Sequence, residues 1–206
     1  MYNFSISMAL VDYIPVLFFG YAAALLQQDL YDKMRKSHFA LFAAGTINIF
    51  AAGFLKALWK LLYAANICDF HALNTMFLPV QSIGFLLAGL GIVLMVTTKK
   101  QRVLLAAPPV FSGSFIFIMM MVLGLGSICT VLSIIAVKMK KKGAMVLFIL
   151  SFLCSMGMGA MSGQDATLAW VNWTEQLINC AGQGLLMAGT LVLHKAGLKE
   201  FQIKGE

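Results

Sequence analysis

Residues 103–137 read VLLAAPPVFSGSFIFIMMMVLGLGSICTVLSIIAV, 35 residues without a single charge. The number of times this stretch crosses a bilayer determines the side on which everything after it lies. A helical span takes about 20 mostly apolar residues, so the stretch is long for one crossing and short for two. Pro108-Pro109 stand near its start and Gly124-Leu125-Gly126 in its second half. A hairpin turning near residues 121–126 is expected, with a re-entrant segment as the alternative.

Charge favours the hairpin. With it, Lys33, Arg35, Lys36, Lys99, Lys100, Arg102, Lys138, Lys140, Lys141, Lys142, Lys195, Lys199 and Lys204 all share one side, which is 13 of the 15 basic residues. The other two, Lys56 and Lys60, fall inside a span. A single crossing would instead divide those 13 into 6 and 7. Basic residues collect on the cytoplasmic side of membrane proteins, so two crossings are preferred.

The rest of the chain reads the same way. Hydrophobic residues make up 61%, charged residues 11%, and mean hydropathy is +0.88, values that a water-facing surface excludes. Apolar runs are continuous, as at Phe85–Val96 and Phe115–Leu123, whereas a β-barrel would alternate. The first run follows Met-Tyr-Asn-Phe-Ser, without a basic residue, and precedes Asp32-Lys33-Met34-Arg35-Lys36. That order is the reverse of a secretory signal and predicts a retained span. The formal charge of +7 lies in short clusters between apolar runs, as topology places it, so no nucleic acid partner is expected.

An all-α, polytopic transmembrane helix bundle follows, a single domain over residues 1–206. Seven spans are expected at about 9–28, 39–64, 76–97, 103–121, 124–138, 144–162 and 170–193, with the amino terminus outside and the carboxyl terminus inside. Its partner is the lipid bilayer, its place the cell membrane, and a homo-oligomer is compatible with it. GFLLAGLGIV at 84–93 and GLLMAGTLVL at 184–193 share four of ten positions, which suggests a 3+1+3 parallel repeat. That arrangement resembles the architecture of the small sugar facilitators of the SWEET type. The Pro-Gln pair that marks them is missing, so no family follows.

Polar side chains at membrane depth are costly and mark function. Asn172, Glu175, Gln176, Asn179 and Gln183 recur at three- and four-residue spacing, one face of a helix. Lys56 and Lys60 are a turn apart. Lys60 can snorkel to the outer interface, and Lys56 is expected to pair with Glu175. Asp12, Tyr13, Gln81 and Asn48 complete the candidate ligand site. Pro15 and Pro79 are expected to free carbonyl groups toward it. Trp59, Tyr63, Trp170 and Trp173 suggest an outer aromatic belt, while Ser155, Gly159 and Gly163 suggest close helix packing.

The inner half is nearly devoid of polar groups apart from Gln27 and Gln28, which argues against an open channel. No catalytic motif, cofactor site or metal site is expected, and Cys68-Asp69-Phe70-His71 reads as a loop rather than a metal ligand set. The expected function is transport or facilitation of a small polar or zwitterionic solute bound in an outward cavity. A receptor binding a ligand at the same place, or a lipid-modifying enzyme, are the alternatives.

Overall fold

The computed structural model describes residues 5–97, 114–161, 164 and 168–202. All regular structure there is helical: α1 (Ile6–Val11), α2 (Tyr13–Leu30), α3 (Lys36–Ala64), α4 (Ala72–Thr75), α5 (Phe77–Val96), α6 (Ser114–Lys138), α7 (Lys142–Met161) and α8 (Ala169–Lys195). Six segments are long and apolar enough to span a membrane, with α1 joining α2 and α4 joining α5 in single spans.

Local signals explain where these helices stop. α3, α6 and α8 end at Asn66, Lys140 and Gly197, all with positive φ. The amides that follow turn back five residues, Ile67 to Leu62, Lys141 to Ala136 and Leu198 to Leu193, satisfying carbonyls that would otherwise be orphaned. Pro15 and Pro79 each sit just after a helix interruption, at Asp12 and Met76. A proline cannot donate to the carbonyl four residues back, which frees Val11 and Thr75.

Side-chain contacts give each helix its direction. Asp12 meets Lys60, Val16 meets Gly53 and Phe50 meets Gly20, so α2 and α3 are antiparallel. Gly45 meets Gly84 while Phe42 meets Gly91, so α3 and α5 are too. Ser151 bonds Gly182 and Phe148 meets Gly189, which makes α7 and α8 antiparallel. Val11 with Gln176, Phe18 with Gly184 and Asp29 with His194 keep a constant offset and make α2 and α8 parallel. The neighbours close a ring in the order α2, α3, α5, α6, α7, α8 and back to α2. Within it α2, α5, α6 and α8 run one way and α3 and α7 the other.

The expected turn at 121–126 is absent, because α6 runs unbroken from Ser114 to Lys138. Gly124 and Gly126 serve packing instead. A Cβ on Gly124 would strike the Phe85 carbonyl, and one on Gly126 would press the Phe152 ring. In lipid, small residues mark close helix approach, so a Gly-x-Gly that breaks a chain in water need not break one here. Since α5 and α6 are parallel, Thr97 and Ser114 stand at opposite ends of the bundle. The first part of the expected span 103–121, up to residue 113, lies outside the described residues.

The ten-residue similarity between 84–93 and 184–193 does not carry equivalent contacts. Gly84 packs on Gly45 and Ile49 of α3, whereas Gly184 packs on Phe18 of α2. The ring places α5 and α8 opposite each other, but the matched glycines point to neighbours that are not equivalent.

Two halves differ along the ring axis. At the end where α2, α5, α6 and α8 finish, Leu26, Leu30, Phe42, Ile92, Leu132, Ile135, Phe148 and Leu193 form a buried apolar core. Nine of the eleven described basic residues sit at that end, Lys33, Arg35, Lys36, Lys138, Lys140, Lys141, Lys142, Lys195 and Lys199. The opposite half is hollow.

Candidate ligand cavity

A cavity of about 460 Å³ opens between the six long helices in that hollow half, a size typical of small-molecule sites. Of the candidate residues, Asp12, Lys56, Gln81, Glu175, Gln176, Asn179 and Gln183 line it, as does Asn172 of the same stripe. Tyr13 and Asn48 do not. On α3 the lining residues are Ile49, Phe50, Gly53, Lys56, Ala57 and Lys60. At 100° per residue Asn48 points about 140° from their mean direction. Tyr13 turns outward in the same way and meets Phe54 edge-on, ring centroids 5.4 Å apart.

The charges pair differently from the expectation. Lys60 Nζ lies 2.6 Å from Asp12 Oδ2, both side chains largely buried, so Lys60 does not snorkel. Lys56 makes no ion pair with Glu175; its ammonium stands 4.0 Å above the Phe77 ring. The antiparallel register of α2 on α3 brings Asp12 level with Lys60, one turn beyond Lys56. The polar stripe of α8 also divides. Gln176 Nε2 donates to the Val11 carbonyl at 3.0 Å, the group that Pro15 frees, and Asn172 Nδ2 donates to Leu168 at 3.1 Å. Both are buried and tie the fold. Glu175, Asn179 and Gln183 are left to the cavity.

Register also sets depth. Gln81 and Gln183 lie about 12 Å below the level of Lys60, two helical turns, and come from the opposed helices α5 and α8. Each has a buried Oε1 without a hydrogen-bond partner among the described residues, as does Asp12 at Oδ1. Most buried polar atoms are paired, so three such acceptors on residues of one cavity are unusual among the described residues. The remaining wall is mainly apolar, with Ile118, Met121, Val122 and Leu125 from α6 and Met156 and Met158 from α7; Ser155 and Asn74 are its other polar residues. Gly159 lines this wall, and a Cβ there would meet nothing within 4 Å, so it is not the close-packing position expected. Gly163 lies outside the described residues. Phe19, Ile49 and Phe85 floor the cavity.

Two arrangements outside the cavity went unread in the sequence. Trp59, expected in an interfacial belt, is 1% exposed; its Nε1 donates to Asp69 Oδ1 at 2.9 Å and its ring meets His71 edge-on. The 68–71 segment is thus a clasp over an indole, and among the described residues no group of three metal-ligand side chains converges. Trp170 and Trp173 are exposed, as a belt requires. At the other end Asp29, 1% exposed, meets His194 Nδ1 through both carboxylate oxygens at 3.0 and 2.9 Å. Each stands one residue past an expected span end, at 28 and 193. The signal was the parallel course of first and last spans, which puts equal offsets side by side.

Compared with known protein families, curated proteins and solved structures, the chain has no significant match. The site itself carries the functional reading.

Proposed function

We propose that the protein is a multi-pass transporter or facilitator of the cell membrane that moves a small polar or zwitterionic solute. The observation that carries this reading is a polar cavity on the ring axis, ended by an apolar core. Polar groups buried at membrane depth are functional by default, and orphaned acceptors over a sealed floor describe one half of an alternating-access cycle.

In this reading the chain makes seven crossings, which the positions of Thr97 and Ser114 at opposite ends of the bundle support. The basic end then faces the cytoplasm, the amino terminus lies outside and the cavity opens outward. The two three-helix groups, α2–α3–α5 and α6–α7–α8, are the parallel units that move about the axis. Glu175 and Asp12 attract the cationic part of a solute, Lys56 the anionic part, and Gln81, Asn179 and Gln183 hydrogen-bond the remainder.

Uptake of a panel of radiolabelled amino acids into proteoliposomes tests it. Accumulation that Gln183→Leu or Glu175→Gln reduces at least tenfold supports transport. Saturable binding with no uptake assigns the cavity to a receptor instead.

A further inference from the structure

We infer that the cavity takes a large apolar α-amino acid, a free zwitterion whose side chain is bulky and apolar. The inference rests on the cavity being the ligand site of the proposed function and concerns what that ligand is.

Three features lead there. The first is charge balance. The cavity holds two carboxylates, Asp12 and Glu175, and two ammonium groups, Lys56 and Lys60. A ligand with net charge would leave a surplus in a place where unbalanced charge is costly, whereas a zwitterion leaves none.

The second is the distribution of unused bonding capacity. Asp12 spends Oδ2 on Lys60, and its Oδ1 is buried without a hydrogen-bond partner among the described residues, bonding capacity that a cationic N–H donor drawn into the cavity wall uses. Lys56, one turn deeper, has a ring beneath it and, among the described residues, no carboxylate within ion-pair distance, so its N–H donors await an anion. An acceptor for ammonium and a donor for carboxylate thus stand about a turn apart, close enough for one small molecule with neighbouring ammonium and carboxylate groups to reach both.

The third is the wall. α6 and α7 contribute methionine, isoleucine, valine and leucine to one side of a cavity whose other side is charged. A wholly polar ligand would leave that side against water, and burying it under an apolar side chain is favourable. Methionine-rich walls accept varied apolar shapes. The volume of about 460 Å³ admits a single small molecule of this class.

Binding to the purified full-length protein in nanodiscs, read by calorimetry, tests the assignment with four probes. These are phenylalanine, phenethylamine (no carboxylate), 3-phenylpropionate (no ammonium) and glycine (no apolar group). Phenylalanine should bind at least about tenfold more tightly than each of the others, the usual effect of losing one charge-assisted hydrogen bond or a buried ring. Lys56→Gln should bring phenylalanine down to the level of phenethylamine. Asp12→Asn should bring it toward 3-phenylpropionate. Should Asp12→Asn fail to fold, the four probes on the unaltered protein still decide the matter.

Equal binding of the four probes, or binding of none, overturns the proposal. So does tighter binding by lysophosphatidylethanolamine, which carries the same pair of charges on a lipid. Phenylalanine binding without uptake would remove the transport reading and leave this one standing. Uptake of a solute that is not a zwitterion would do the reverse.

Discussion

Two seams join the three-helix groups of the ring, and they are built from different chemistry. Along α5–α6 the backbones themselves touch. A Cβ on Gly89 would come within 2.8 Å of Gly124 Cα, and one on Gly124 would strike the Phe85 carbonyl. Along α2–α8 the contact is made by polar side chains at both ends, Gln176 on the Val11 carbonyl above and His194 on Asp29 below. Close van der Waals contact between small residues loses its whole benefit when helices separate. A hydrogen bond can be exchanged for water or for another partner at modest net cost. The glycine seam is suited to act as a pivot and the polar seam as the edge that parts.

The contrast breaks most severely at the glycine seam. Gly124→Leu forces α5 and α6 apart and should abolish recovery of folded, monodisperse protein in detergent, and Gly124→Ala should cost about 1–3 kcal/mol in thermal or denaturant unfolding. At the polar seam the effect is smaller and asymmetric. His194→Leu strands a buried carboxylate and should cost about 2 kcal/mol, Asp29→Leu less, and the double variant less than the sum. Gln176→Leu leaves the Val11 carbonyl without a donor and should cost about 1 kcal/mol. Gly143→Ala, where a Cβ would meet nothing within 4 Å, should leave stability unchanged. Equal losses from Gly124→Ala and Gly143→Ala would dissolve the comparison.

The polar seam was partly legible in sequence and the glycine seam was misread. Asn172, Glu175, Gln176, Asn179 and Gln183 announce a buried face by spacing alone, because lipid leaves polar groups nowhere else to point. Which of them serve a ligand depends on neighbours that spacing does not contain. Gln176 is taken by Val11 because Pro15, 161 residues earlier, cannot donate. Lys56 was assigned to Glu175 by depth, but helix rotation puts it over Phe77 and leaves Asp12 to Lys60. Gly124 and Gly126 looked like a turn because glycine has two roles, and only the surrounding helices distinguish them. Counting charges still predicted that the basic loops share one end, as nine of the eleven described basic residues do, although no turn falls at 121–126.

The clasp over Trp59 supplies the protein with its own optical probe. Of three tryptophans, two are exposed, Trp170 at 59% and Trp173 at 38%, while Trp59 at 1% is hydrogen-bonded inside. Its neighbours Ala57 and Lys60 line the cavity. With Trp170 and Trp173 replaced by phenylalanine, emission comes from Trp59 alone and should be blue-shifted. Any rearrangement that lifts Asp69 from the indole then becomes visible as a red shift, so motion beside the cavity can be timed without attaching a dye.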